Sequence, residues 1–295
     1  MSLPGNGYVY LFGEVLFDHF PDGSRVLGGA PFNVAWHLQA FGLAPRLISR
    51  VGSDPEGEAV LTAMRDWGME TGWIQVDPRR PTGRVDVSFA DGEPHYDIVA
   101  ECAYDAIEPP AIDSCRLLYH GSLAARSATS ARTLRLLRAT IAGSVFIDVN
   151  LRPPWWQRES LETLITGADW VKLNRDELDT LGDNPQPTDP GPAFLQRYNL
   201  NGLLVTRGAE GAELLLASGS PLFIAPGPDT EIVDTVGAGD AFAAVLLLGL
   251  CRDWTLPLTL QRAQDFAAAV VGRRGATIAE ADFYQAFSLQ WQSAD

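Results

Sequence analysis

Val233-Asp234-Thr235-Val236-Gly237-Ala238-Gly239-Asp240-Ala241-Phe242 is a glycine turn that runs into an apolar, Ala-rich stretch ending near Leu250. Glycines without a Cβ let the backbone bend sharply and come close to a ligand. The apolar run behind them reads as a buried helix from about Ala241. The first amides of a helix have no partner within it, and the helix dipole adds partial positive charge beside them. Such a turn suits a phosphate or another oxyanion. Asp240 stands at the same point, either as a plain cap or as a carboxylate placed to take a proton from a hydroxyl aimed at that anion. No Lys-Ser/Thr pair follows the glycines, so this is not a Walker loop. Phe242 stands where a dinucleotide fingerprint needs a third glycine. Anion hole plus carboxylate is the arrangement of a phosphoryl-transfer centre.

The chain has 295 residues, 46% of them hydrophobic, enough for a sizeable core in one large domain. A net charge of -15 argues against nucleic acid or an anionic membrane as partner. Any polyphosphate must then be held by local amides, a few cations and a metal. Cys102, Cys115 and Cys251 have no metal-ligand spacing, and so sparse a set suggests reduced thiols in a cytoplasmic protein. Tyr8–Phe12 is far too short to span a bilayer.

Apolar runs at Tyr8–Phe12, Arg46–Val51, Leu117–Ser122, Val145–Leu151, Trp170–Leu173 and Gly202–Thr206 read as strands. Helical patterns lie between many of them, among them Val34–Gly42, Glu56–Trp67 and Thr129–Thr140. That alternation predicts an α/β sandwich with a mostly parallel sheet. Leu256–Arg273 and Asp282–Leu289 read as closing helices. Trp73–Val76, Gly83–Phe89 and His95–Val99 are strands without helices between them, with Asp91-Gly92 as a turn. They predict either a strand-only lid or an ordinary surface hairpin. The expected organisation is one domain over residues 1–295, with lid strands at about 13–30 and 73–100.

Several polar clusters sit at strand ends, which in open parallel sheets face the ligand crevice. Asp18 is a turn residue or a hydroxyl ligand. Gly28 and Gly29 permit close backbone approach, and Asn33 offers both a donor and an acceptor. Asp148, Asn150 and Arg152 share a face if their strand continues. Asn174 and Glu177 have the spacing of a capping box, and equally suit a magnesium ion and its waters. Thr206-Arg207-Gly208, with Gly211 beyond, is a polar corner that either opens a hairpin or faces phosphates.

Asp234–Phe242 closely resembles the C-terminal signature of the ribokinase-like (PfkB) sugar kinases. The resemblance extends from about Tyr8 to Ala276. It includes Gly28-Gly29-Ala30-Pro31-Phe32-Asn33-Val34-Ala35 and Asp148-Val149-Asn150-Leu151-Arg152, whose forms match the fructokinase branch, and the Asn174-x-x-Glu177 element. The family implies a three-layer α/β/α sandwich with a small β-strand lid that often forms a homodimer contact. It implies an ATP-dependent kinase acting on a small sugar, most of all fructose. Other acceptors within the family are 2-keto-3-deoxygluconate, another ketose or a nucleoside, and a non-catalytic sugar- or nucleotide-binding regulator is the reading outside enzymes.

By the same resemblance, Gly237, Ala238 and Gly239 form the anion hole and Asp240 is the base. Asp18, Gly28, Gly29 and Asn33 contact the sugar, joined by Asn150, Arg152 and Arg84, although nothing local requires Arg84. Lys172, Asn174, Thr206, Arg207, Gly208, Gly211 and Thr235 lie near the nucleotide. Asn174 and Glu177 organise Mg2+ through water, and Asp234 with the carbonyl of Val236 borders a site for K+. Thr277 onward departs from the family's usual Pro-containing close at that cation loop.

Overall fold

The computed structural model describes residues 3, 7–90, 93–182, 189–226 and 232–292. The Asp91-Gly92 turn lies outside them. Strand β1 (Tyr8–Phe12) shows how the layers arise. Val9 and Leu11 pack into one helical layer, Tyr10 and Phe12 into the other. A strand covered on both faces needs apolar side chains on both, which is why it reads as a continuous run.

The chain then forms β2 (Leu16–His19), β3 (Arg25–Gly28), α1 (Ala30–Ala40), β4 (Arg46–Gly52), α2 (Pro55–Asp66), β5 (Ile74–Asp77), β6 (Gly83–Ala90), β7 (Glu93–Ile98) and β8 (Cys115–His120). It continues through α3 (Ala128–Thr140), β9 (Ser144–Asp148), α4 (Arg158–Ile165), β10 (Trp170–Asn174), α5 (Arg175–Leu181), α6 (Gly191–Arg197) and β11 (Gly202–Thr206). The last elements are β12 (Ala212–Leu216), β13 (Leu222–Ile224), α7 (Ala238–Cys251), α8 (Leu256–Val271) and α9 (Ala281–Gln292).

The large sheet has the order β13-β12-β11-β10-β9-β8-β1-β4-β5. Its neighbours are parallel up to β11, and only the β11–β12 and β12–β13 pairs are antiparallel. Residues of α1, α2, α7, α8 and α9 form the core on one face. Those of α3 to α6 cover the other. This is the expected three-layer sandwich.

The small sheet is β3-β2-β6-β7. It is narrower than the predicted span of 73–100. Ile74–Asp77 pairs in parallel with β4 and extends the large sheet, because α2 supplies the crossover that a parallel strand requires. The strand-only insertion therefore begins at Gly83. No described helix is long and apolar enough to cross a membrane, and all three cysteines are buried and unbridged.

Register places one charge pair in the core. Phe146 and Trp170 face the α7 layer, so Asp148 and Lys172, each two residues on, face it too. β9 and β10 pair Asp148 directly with Lys172. Lys172 Nζ donates to both Asp148 oxygens at 2.8 and 2.7 Å, and Tyr119 adds a 3.3 Å hydrogen bond. Replacing Lys172 with Met strands a buried carboxylate and is expected to cost about 3–5 kcal/mol. Urea unfolding checks this; an unchanged midpoint would mean that the pair contributes nothing.

Candidate active site

The carboxyl ends of the parallel strands open into a cleft of about 670 Å³. Glu14, Asp148, Lys172, Asn174, Glu177 and Thr206 line it from the large sheet and its loops. Leu16, Asp18, Val26, Val85, Tyr96 and Ile98 line it from the small sheet. Gly28, Gly29 and Asn33 enter at the start of α1, and Thr235, Val236, Gly237, Gly239 and Asp240 at the start of α7.

The glycine turn is built for close approach. Gly237 is the N-cap of α7 with φ 81° and ψ -6°, the left-handed region. A Cβ there would lie 2.5 Å from the Ala276 Cβ. No side chain caps α7. Ala241 is the first residue bonded back into the helix, to Gly237 O at 2.8 Å. The amide of Ala238 has only a 3.4 Å bond to Thr235 O, so this helix start retains its affinity for an anion. A Cβ on Gly239 would lie 3.4 Å from Lys172 Nζ, which places a cation beside the turn.

Asp240 is not a cap. Its Oδ2 accepts a 2.8 Å hydrogen bond from Asn33 Nδ2. Burial pushes its carboxyl up to about 6; Asn33, Lys172 and Arg152 pull it back, and Asp148 adds to the rise. That is a carboxylate able to accept a proton near neutrality. Asp18 is also pushed up to about 6, by burial, with Arg152 and His19 opposing.

Asn174 and Glu177 form the capping box of α5. Glu177 Oε2 accepts from Asn174 N at 2.8 Å and Oε1 from Leu151 N at 2.6 Å. Asn174 Oδ1 accepts from Glu177 N at 2.8 Å. With each oxygen already bonded to an amide, the pair fits a hydrated magnesium held through water better than direct ligation.

Five expected details change. β9 ends at Asp148 and Asn150 has φ 44°, so Asp148, Asn150 and Arg152 meet in the cleft through a bent loop rather than along one strand face. Arg84 does not line the cleft. Val85 points inward, and alternation turns Arg84 outward to Asp86 at 2.6 Å. Arg207 pairs with Glu213 and, like Gly208, is not among the lining residues. Gly211, with φ 98°, lies in the β11–β12 turn away from the cleft, where a Cβ would clash with the Ile224 carbonyl at the end of β13. Asp234 clasps two loops: it accepts from Val236 N and Gly275 N, both at 3.0 Å. Any cation there would share its carboxylate with those amides. Glu14 is the lining acid not singled out from sequence; its signal was an acid immediately after the first buried strand.

An uncapped helix start and a buried carboxylate, at the carboxyl edge of a parallel sheet, define a phosphotransferase site on an α/β sandwich. Residues 6–282 match the pfkB family carbohydrate kinases, and the chain belongs to that family. It is thus a sugar kinase of ribokinase-like fold. The fructokinase of Klebsiella pneumoniae is 31% identical over 264 residues, which cover 83% of this chain and 85% of that protein. The crystal structure of fructokinase from Vibrio cholerae O395, bound to fructose, ADP and calcium ion, is 25% identical with a TM-score of 0.81, covering 95% of this chain and 98% of that one. Fructokinase with bound ATP from Xylella fastidiosa, 23% identical over 97% of this chain and 99% of its own, has a TM-score of 0.84 and shares the fold.

Gly237→Ala combines a left-handed φ with a clash against Ala276, and is expected to lower stability by about 1–3 kcal/mol. Gly28→Ala is the control, since the nearest atom to its Cβ is Asn33 Oδ1 at 3.7 Å. Equal urea midpoints for the two variants would show that the turn is unstrained.

Proposed function

We propose that this protein phosphorylates fructose with ATP as donor and Asp240 as base. The observation that carries the reading is the Asn33–Asp240 hydrogen bond, which brings an acceptor-side residue to a carboxylate at an open helix N-terminus. The acceptor hydroxyl oxygen attacks the γ-phosphorus, the bond to the bridging β,γ-oxygen breaks, and ADP leaves. Asp240 takes the hydroxyl proton. The backbone amides at Gly237, Ala238 and Gly239 hold the negative charge on the group in flight. Lys172 lends positive charge to the turn while remaining paired with Asp148. Asp18, Gly28, Gly29 and Asn33 orient the acceptor, so that attack becomes effectively unimolecular, with Asn150 and Arg152 at the rim.

Asn174, Glu177, Thr206 and Thr235 lie on the nucleotide side. When bound, Mg2+ would neutralise polyphosphate charge there, with Asn174 and Glu177 holding its waters. The small sheet serves as a lid that excludes water, the competing acceptor. Val26, Phe89 and Tyr96 are exposed on its cleft-side face, which supports a homodimer built on that sheet.

The test is ADP release with Mg-ATP and fructose, glucose, ribose, 2-keto-3-deoxygluconate or adenosine, in the native protein and in Asp240→Asn. Fructose should give the highest kcat/KM. The Asn variant should lose about two to four powers of ten in kcat while binding ATP normally. Release with another acceptor alone would refute the fructose assignment, and normal turnover by Asp240→Asn would refute the base.

A further inference from the structure

One acid in the cleft has no part in that mechanism. Glu14 directly follows Gly13 at the end of β1 and is only 3% exposed, yet it lines the cleft. Topology explains its position. From β1 the chain moves to β4 on one side and later returns to β8 on the other. The carboxyl ends of β1 and β8 therefore flank the point where strand order reverses, the place where open parallel sheets bind ligands. Glu14 lies at the end of β1 and Gly121 at the end of β8. A Cβ on Gly121 would lie 4.0 Å from Glu14 Oε1, so glycine leaves room beside the carboxyl.

Neighbouring buried acids are engaged. Asp148 holds Lys172, Glu177 holds two amides, and Asp240 holds Asn33. Among the described residues, Glu14 Oε2 is the one buried carboxylate oxygen without a hydrogen-bond partner. Asn33 Oδ1, which also lines the cleft, lacks a partner too. Gly29 has φ 113°, and a Cβ there would lie 2.7 Å from Glu14 O. Glu14 and Asn33, each with an unpartnered buried oxygen, thus both line the cleft, where Gly29 packs against the Glu14 backbone. Burying a carboxyl oxygen without a partner costs stability, and such an oxygen calls for an explanation in what it binds. Burial pushes this carboxyl up to about 7; its own backbone amide opposes the rise, as do Arg152 and Arg126, while Asp240 adds to it.

We propose that Glu14 is an acceptor-binding residue: its free carboxyl oxygen takes a non-reacting hydroxyl of the acceptor at the floor of the cleft, while Asp240 faces the reacting one. The inference rests on the kinase reading above. It adds a contact at the β1–β8 switch point to the acceptor contacts implied by family resemblance. It also makes Glu14 a site where the fold gives up stability for binding.

The test compares native protein, Glu14→Leu and Glu14→Gln, varying fructose and ATP separately in ADP release and melting each protein. In Glu14→Leu the KM for fructose should rise about 10–100-fold, with the KM for ATP within about twofold. Its melting temperature should equal or exceed the native value, because an unpaired buried acid is gone. Glu14→Gln keeps size and hydrogen bonding and should lie between. A native KM for fructose in Glu14→Leu overturns the proposal. So does a lower melting temperature with both substrates weakened alike, the signature of a structural role. If the native protein ignores fructose, the fructose reading fails. The comparison is then made with the acceptor of the panel that does release ADP, and an unchanged KM there overturns the role of Glu14.

Discussion

The 2.8 Å hydrogen bond from Asn33 Nδ2 to Asp240 Oδ2 joins segments 207 residues apart. It ties the first turn of α1 to the first turn of α7, and those helices share one layer of the sandwich and pack against each other. Every later feature of the site depends on that meeting. The glycine pair before α1 and the uncapped glycine turn before α7 both face the cleft. The carboxylate between them is buried enough to be basic and hydrogen-bonded enough to ionise. Were α1 to lie on the other face of the sheet, the two loops would open on opposite sides and the same residues would do nothing.

The second constraint is charge. A carbohydrate kinase of net charge -15 must admit an anionic phosphoryl donor. Its cleft contains Glu14, Asp18, Asp148, Glu177 and Asp240 against Lys172 and Arg152. The solution is local. Asp148 is committed to Lys172 and Glu177 to backbone amides, so neither presents an unscreened carboxylate. What remains for an anion is the uncapped start of α7, with the Lys172 ammonium beside Gly239 and Arg152 on the cleft lining. Amides and these cations do not oppose the acidic surface; they act at a range where surface charge is screened.

Much of this was legible in sequence because it is local. Strands such as Tyr8–Phe12 are apolar on both faces, and the turn at Gly237 requires a residue tolerant of positive φ. Asn174-x-x-Glu177 has the spacing of a capping box, and the structure bears that part of the reading out. What sequence left open depends on register and on distant partners. Whether Asp240 was a cap could not be decided until Asn33 arrived from 207 residues away. Arg84 was a candidate contact until strand alternation turned it toward Asp86. Trp73–Val76 reads as part of the strand-only insertion because no helix follows it, whereas the helix before it is the informative one: the observed strand Ile74–Asp77 pairs with β4. Glu14 carried a weak signal, and only the strand order gives that position meaning.

The most direct test of this account is the pH dependence of kcat/KM in the native protein and in Asn33→Ala, which reports ionisations of the free enzyme. Burial raises the Asp240 carboxyl to about 6 and the Asn33 hydrogen bond holds it down. A base works only when deprotonated, so native activity should fall as pH drops through about 6. Removing the Asn33 amide favours the protonated acid, and the acid limb should move to higher pH. A limb that stays in place, or moves to lower pH, would contradict the claim that Asn33 tunes Asp240 as the base.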